Sequence, residues 1–470
     1  RHPPVDHWRA GLRNSLSHEQ VEHAGAAAPV TTPFADRLPG LDGLRALAMV
    51  LGVVVHACVP YSATGLDRLL WPVPPVQTSR ICEVLFWSIH AFRLPLFFFL
   101  AGLFSEQLFQ ARGPQGFARH RLLRLMVPYY VGLVTILPLN LLVWTWGWTR
   151  NDGATWSQAL SPFENFPPAL QAHYFGPAHL WFLMDLGLIT LAYGLLRWDW
   201  NPNPHQPPSL TLPQRLAPWL ASLCAIPAAI CLWDDLSPFD QHHNSFVPHT
   251  VRMAYFGWYF ALGVQLYRRP ALLEQLTSAP VRQLLVALLC AAGVAWFTPL
   301  HKHHPFDESG LCGLACLVAL TATHTVFGLI GLALRWRPPA GVCRYLADAA
   351  YWVYLCHLPL VGLGQLLLQP LSWPAAFKMA LVTASATLVG LASYQLCIRH
   401  SVIGTVLHGR RERRAGPPAT LPGAPTPAPL PVPPPHWGVT EGRPAHFTAQ
   451  ASGAQASGPH RGPNQSGQRP

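Results

Sequence analysis

Charge is scarce in this chain. Only 11% of its 470 residues are Asp, Glu, Lys or Arg, against about a quarter in soluble domains. Half of the residues are apolar. That balance excludes an ordinary soluble enzyme and implies a protein that crosses a bilayer many times. Acid is scarcer than base, with 21 Asp and Glu against 32 Lys and Arg. The resulting charge of +11 does not point to nucleic acid, because the arginines fall in short connecting loops and the tail and not on one face of a module. Basic loops of that kind mark the cytoplasmic side of a membrane. A zinc pattern is missing too: the ten cysteines are scattered, and Cys312 with Cys316 lacks a matching Cys/His pair. No internal repeat is evident, which weakens a transporter built from inverted halves. The first 35 residues hold no apolar core segment, so no cleavable signal peptide is expected.

What the sequence does contain is a series of apolar runs. Ten pass a length test of about 18–25 residues: 44–61, 84–109, 125–148, 179–198, 216–233, 250–267, 281–300, 309–334, 345–368 and 373–397. Arginines follow the even-numbered runs, while the exits of the odd ones mix Arg with Asp and Glu or carry Asp, Glu and His. That alternation predicts an even count with both termini in the cytoplasm. Residues 1–36 are polar, and 411–470 are rich in Pro, Ala, Gly and Ser; neither composition can bury a core, so both are expected to be disordered. The expected architecture is an all-α polytopic membrane helix bundle of about ten transmembrane helices over residues 37–410. His301, His303 and His304 read as a solvated outer loop, since no carboxylate spacing completes a metal shell.

Charged and polar side chains inside such runs cost about 2.5–3.5 kcal/mol or more each and are candidates for function. In the first run Arg45 and His56 lie eleven residues apart, on one helix face and about 16 Å apart along the axis. Ala48 and Gly52 lie between them on the same stripe, leaving either close helix packing or an open groove. Asp42, one turn before Arg45, is placed to orient the guanidinium. A plainer account makes Arg45 a topogenic charge and His56 a hydrogen-bonded packing residue. The second run, "EVLFWSIHAFRLPLFFFLAG", carries Glu83, His90 and Arg93. Arg93 lies about 15 Å below Glu83, too deep for easy snorkelling, and needs a partner or a water-filled cavity. The loop "RHRLLRLMVPYY" puts Arg121 and Arg124 one turn apart; they serve as topology signals or as bidentate phosphate ligands. In "FGPAHLWFLMDL", Trp181 fits an aromatic belt, and Asp185 or His179 is placed to hold a histidine N–H as an orienting group.

Together these residues give the chain a family likeness: it resembles the acyltransferase 3 family of integral membrane O-acyltransferases. The resemblance rests on the Arg45-to-His56 spacing, "FFFLAGLF", the "RLLR" entry, "HLWFL" and "AYWVYLCHLPL" in that order. "HAFRLPLFFFLAG" and the ending "IRHSVIGTVLHGRR" look most like the branch of glucan biosynthesis protein C, which succinylates periplasmic glucans. Ala101 stands where the common family form has Ser, so a role for that hydroxyl is absent here.

The resemblance implies transfer of an acetyl or succinyl group from cytosolic acyl-CoA to a carbohydrate hydroxyl outside, in a bacterial inner membrane. It makes His56 the catalytic residue, Arg45 its companion, and Arg121 with Arg124 the group that meets the donor. Arg93, His90, Trp181, Asp185 and Glu83 are the remaining substrate-binding candidates. No permanently bound cofactor and no nucleic-acid partner are expected; the partners are acyl-CoA, the glycan acceptor and the bilayer. One rival is a secondary transporter that uses the intramembrane His, Arg and Asp as a relay; a second is a sensory or scaffolding membrane protein that works through its tails.

Overall fold

The computed structural model describes residues 39–66, 69–75, 77–161, 174–198, 217–401 and 403–405. Both termini expected to be disordered lie outside these ranges. Each of the ten apolar runs is a helix. They are α1 (Pro39–Cys58), α2 (Arg80–Arg121), α3 (Val127–Asn151), α4 (Trp181–Trp198) and α5 (Ala217–Asp234). Then come α6 (Thr250–Arg268), α7 (Pro280–His303), α8 (Glu308–Arg335), α9 (Ala340–Leu368) and α10 (Ala375–Ser393). Among the described residues there is no strand, as a bilayer requires of anything but a closed barrel.

Among the described residues, seven helical stretches are long and apolar enough to cross a membrane. One of them, Arg80–Asn151, runs for 72 residues and contains both the second and the third predicted run. The connection between those runs is therefore helical, where its polar composition predicts a loop. It bends at Gly113, whose φ of 65° is a left-handed conformation that glycine adopts without steric cost. It then passes through a π-turn at Leu122–Met126, which carries Arg124 to the start of α3.

Two predicted runs, α5 and α6, are not among the seven. The apolar part of α5 is short, Trp219–Asp234. The α6 helix is diluted by Arg, Gln, Gly and four Tyr or Trp, a composition suited to enclosure by other helices. Its Tyr255, Phe256, Tyr259 and Phe260 are buried. It lies directly against α2: a Cβ on Gly102 would come within 2.0 Å of the Phe260 carbonyl oxygen, and one on Gly263 within 2.1 Å of that of Phe99. Small residues permit this backbone approach in the way typical of membrane helix pairs. By contrast α7 and α10 expose Leu, Val and Phe along much of their length, as lipid-facing helices do. Outside the apolar layer, Asp307 caps α8 by accepting from the Gly310 N–H at 2.9 Å. That bond, with the Ser309 hydroxyl, holds the Asp307 carboxyl below its usual range.

Candidate functional site

A cavity of about 160 Å³ opens among α1, α2, α3, α4, α6 and α9, at the end of α1 away from Arg45. His56, His90, Arg93 and Trp181 all line it, so four of the candidate residues converge. The lower wall is apolar, with Met49, Leu94 and Phe97; the mouth carries Trp71, Trp144, Trp148 and Tyr174 from α3 and the connecting segments.

The α1 helix stops just past His56 because of Pro60. That proline has no N–H to return to the His56 carbonyl, and the chain tightens into a 3₁₀ turn over Val59–Tyr61. The orphaned carbonyl is met from α9: Gln365 Nε2 donates to His56 O at 3.0 Å and to Ala57 O at 3.3 Å. The same amide accepts from Trp71 Nε1 at 2.8 Å. Trp71 in turn lies parallel to the His56 ring, 6.0 Å between centroids and 7° between planes. One fully buried glutamine thus holds both the His56 backbone and the Trp71 ring beside the imidazole, while the imidazole itself makes no hydrogen bond to a described residue.

Arg93 resolves the choice between partner and cavity. No carboxylate among the described residues pairs with it, and its Nε is buried without a hydrogen bond; the residue borders the cavity. Gly52 makes the space, since a Cβ there would lie 2.2 Å from Arg93 Nη1. Gly52, on the small-residue stripe of α1, is therefore a seat for a guanidinium from α2. His90 is packed more tightly, stacked on Phe86 at 5.5 Å and flanked by Trp87 and Phe239.

Two predicted residues have other work. Glu83 does not line the cavity. Its carboxylate accepts from Thr64 N at 3.1 Å, Thr64 Oγ1 at 2.7 Å and Arg80 Nη1 at 2.8 Å, which pins the segment between α1 and α2. Asp185 holds no histidine. It is fully buried and accepts from Arg252 Nε at 2.8 Å and Nη2 at 3.3 Å. Arg252, on α6, also sits 4.5 Å from the Trp181 ring centroid and borders the cavity. A carboxylate in an apolar layer needs a full opposite charge beside it, and here that is an arginine.

At the far end of α1 lie the remaining candidates. Arg45 Nη1 is 3.6 Å from Asp42 Oδ1, as the spacing predicts, and its guanidinium stands 5.6 Å from the Phe104 ring. Arg121 Nη2 donates to Ser105 Oγ at 2.7 Å. Arg45 and Arg124 both act electrostatically on Arg121, and Arg112 and Arg45 act on Arg124. These cations form one basic mouth. Arg45 therefore belongs with Arg121 and Arg124 and not with His56.

The structure adds His357, Asn140 and Arg252, which the sequence alone does not single out, and it places the candidate His179 in the same cavity. His357, from α9, stands 5.2 Å from His56 by ring centroids, and His179 stands 5.2 Å from His357. Ala178, just before His179, has a φ of 46°, a left-handed turn uncommon outside glycine and asparagine; Asn244 Oδ1 accepts from its N–H at 2.8 Å. Asn140, only 6% exposed, lines the cavity and has an unpaired side-chain oxygen. A signal for His357 is present: a histidine in the middle of an apolar run, within "AYWVYLCHLPL". For Arg252 the only signal is a cation inside an apolar run, which does not name Asp185 as its partner.

Comparison with known proteins agrees with this architecture. The family model described as an acyltransferase domain matches residues 38–395. The glucans biosynthesis protein C of Salmonella paratyphi B, and those of Salmonella heidelberg and Salmonella enteritidis, are 29% identical over 161 residues. That alignment covers 34% of this chain and 38% of each relative, so well under half of either protein is compared. No solved structure matches. The helices and the extent of the family match agree: the chain belongs to the acyltransferase 3 family of integral membrane acyltransferases.

Proposed function

We propose that the protein moves an acetyl or succinyl group from cytosolic acyl-CoA to a hydroxyl of a periplasmic or cell-surface glycan, working in a bacterial inner membrane with both termini inside. The observation that carries this reading is His56: a ring with no hydrogen bond to a described residue, bordering a cavity that also holds an arginine without a carboxylate. A sugar hydroxyl is a poor nucleophile and needs a base as it attacks. His56 takes the hydroxyl proton while that oxygen bonds to the thioester carbonyl. The carbon–sulfur bond then breaks, and His56 returns the proton to the departing thiolate. Ester and free thiol are the products, and no further reactant is consumed.

The Arg93 guanidinium faces the oxyanion that forms between these steps, an interaction worth several kcal/mol in a dry site. Arg45, Arg121 and Arg124 meet the CoA phosphates at the basic mouth, with the pantetheine arm spanning the length of α1 to His56. Asn140 and the Trp71, Trp144 and Trp148 rings present amide and aromatic surface to the acceptor. Trp181 and Asp185 act through Arg252, and Glu83 through the segment it pins.

The test uses the purified protein in vesicles, with radiolabelled acetyl-CoA or succinyl-CoA on one side and a linear gluco-oligosaccharide on the other. Labelled ester on the sugar is the expected result. Label or sugar that crosses unchanged would establish a transporter and overturn the reading, as would no ester with either donor.

Gly52 offers a finer check. Gly52→Ala pushes on the flexible end of Arg93 and not on backbone, so the protein should fold and bind donor normally. A guanidinium misplaced by about 1 Å costs on the order of 10²-fold in kcat. Steady-state kinetics should show that loss in kcat with KM for acyl-CoA unchanged.

A further inference from the structure

A histidine base in a hydrolase or transferase is commonly oriented by a carboxylate that accepts its second N–H. The carboxylate best placed in the sequence for that task, Asp185, is taken by Arg252. Among the described residues no Asp or Glu borders the cavity. Imidazoles border it instead, and three of them form a contiguous row from α1 to α9 to the start of α4: His56, His357 and His179.

Two of the three have their tautomers set by the backbone. His357 Nδ1 lies 2.7 Å from the Tyr354 carbonyl oxygen. A carbonyl can only accept, so Nδ1 carries the proton and Nε2 keeps a lone pair. That Nε2 is buried and has no partner. His179 is set the other way round. Its Nε2 donates to the Leu355 carbonyl at 3.0 Å, and its buried Nδ1 has no partner. Both rings therefore present acceptors, and neither can donate to the other through those atoms.

A buried acceptor left without a donor is unfavourable. The ring that can supply one to His357 is His56, 5.2 Å away by centroids and tilted by 41°. The His56 imidazole has no competing hydrogen bond among the described residues, so it is free to turn a nitrogen toward His357.

We propose that His357 is the positioning residue for His56. Its Nε2 accepts one His56 N–H, which leaves the other His56 nitrogen bare and aimed at the acceptor hydroxyl. During transfer the hydroxyl proton moves to that bare nitrogen and later leaves from it to the thiolate. The N–H facing His357 stays in place throughout, and the proton count on His357 does not change. An imidazole lone pair thus does what a carboxylate does elsewhere, without placing a negative charge in the apolar layer.

This proposal rests on the reading of His56 as the base, and the experiment separates the two. His357→Leu, His357→Gln and His56→Ala are compared with the wild type in the vesicle assay. The Gln amide oxygen restores an acceptor near the place of Nε2; Leu does not. His357→Leu should lower kcat by about 10²-fold or more with KM for acyl-CoA within about twofold, and His357→Gln should recover most of that loss. If the Leu variant does not accumulate in the membrane, His357→Phe replaces it with the same expectation. Equal loss in Leu and Gln, or full activity in Leu, overturns the positioning role. Activity in His56→Ala overturns the reading of the base itself and the proposal with it.

Discussion

His56→Ala is expected to lower acyl transfer by about 10³-fold, within the range of 10²–10⁴ that a positioned general base contributes. The substitution removes a cavity imidazole neither of whose nitrogens is committed to a described residue. The basic mouth is untouched, since Arg45 and Arg121 lie at the other end of α1 and its neighbours. Donor affinity should therefore persist while turnover is lost. Initial rates in vesicles, with acyl-CoA binding measured separately by calorimetry, distinguish the two. A variant that retains wild-type turnover would remove His56 from the chemistry, and one that loses donor binding would mean the cavity and the mouth are not separate.

The second large effect concerns stability. Asp185 and Arg252 are a buried ion pair, with the carboxylate fully enclosed and Arg252 only 3% exposed. Removing one partner strands the other charge, at a cost of about 3–5 kcal/mol. Asp185→Leu alone should lower the thermal midpoint in detergent sharply. Asp185→Leu combined with Arg252→Met leaves no charge behind, and an apolar pair of similar volume is often close to neutral. The double variant should recover most of the stability. If it melts as low as the single one, the pair's hydrogen bonds, including that from Arg252 Nη1 to the His243 carbonyl at 3.2 Å, matter more than its charge.

The helices are legible in the sequence because hydrocarbon solvent demands long apolar runs, and each such run became a helix. The join between α2 and α3 is not legible: its polar composition reads as a loop, yet the Ala118 and Arg119 carbonyls accept the Leu122 N–H and the helix carries on. The approach of His56, His90 and Arg93 to one cavity is readable, since each is a polar side chain inside an apolar run and the two histidines lie at similar depth; Trp181 reads only as a ring at the membrane boundary. The roles of Glu83 and Asp185 are not. A carboxylate reports that it needs a donor, never which one. Thr64 reaches Glu83 from the other end of the segment between α1 and α2, and Arg252 reaches Asp185 from α6 to α4. His357 has the same difficulty in a stronger form. It meets His56 across most of the chain, and nothing local in "LCHLPL" records that meeting.

Gln365 links these parts mechanically. Because Pro60 cannot close the last helical turn of α1, His56 hangs from α9 by an amide, about two turns beyond the imidazole that faces it. A shift of α9 along its own axis would disturb the tether and the facing ring together, so one helix acts as the carriage on which the tip of another is aligned.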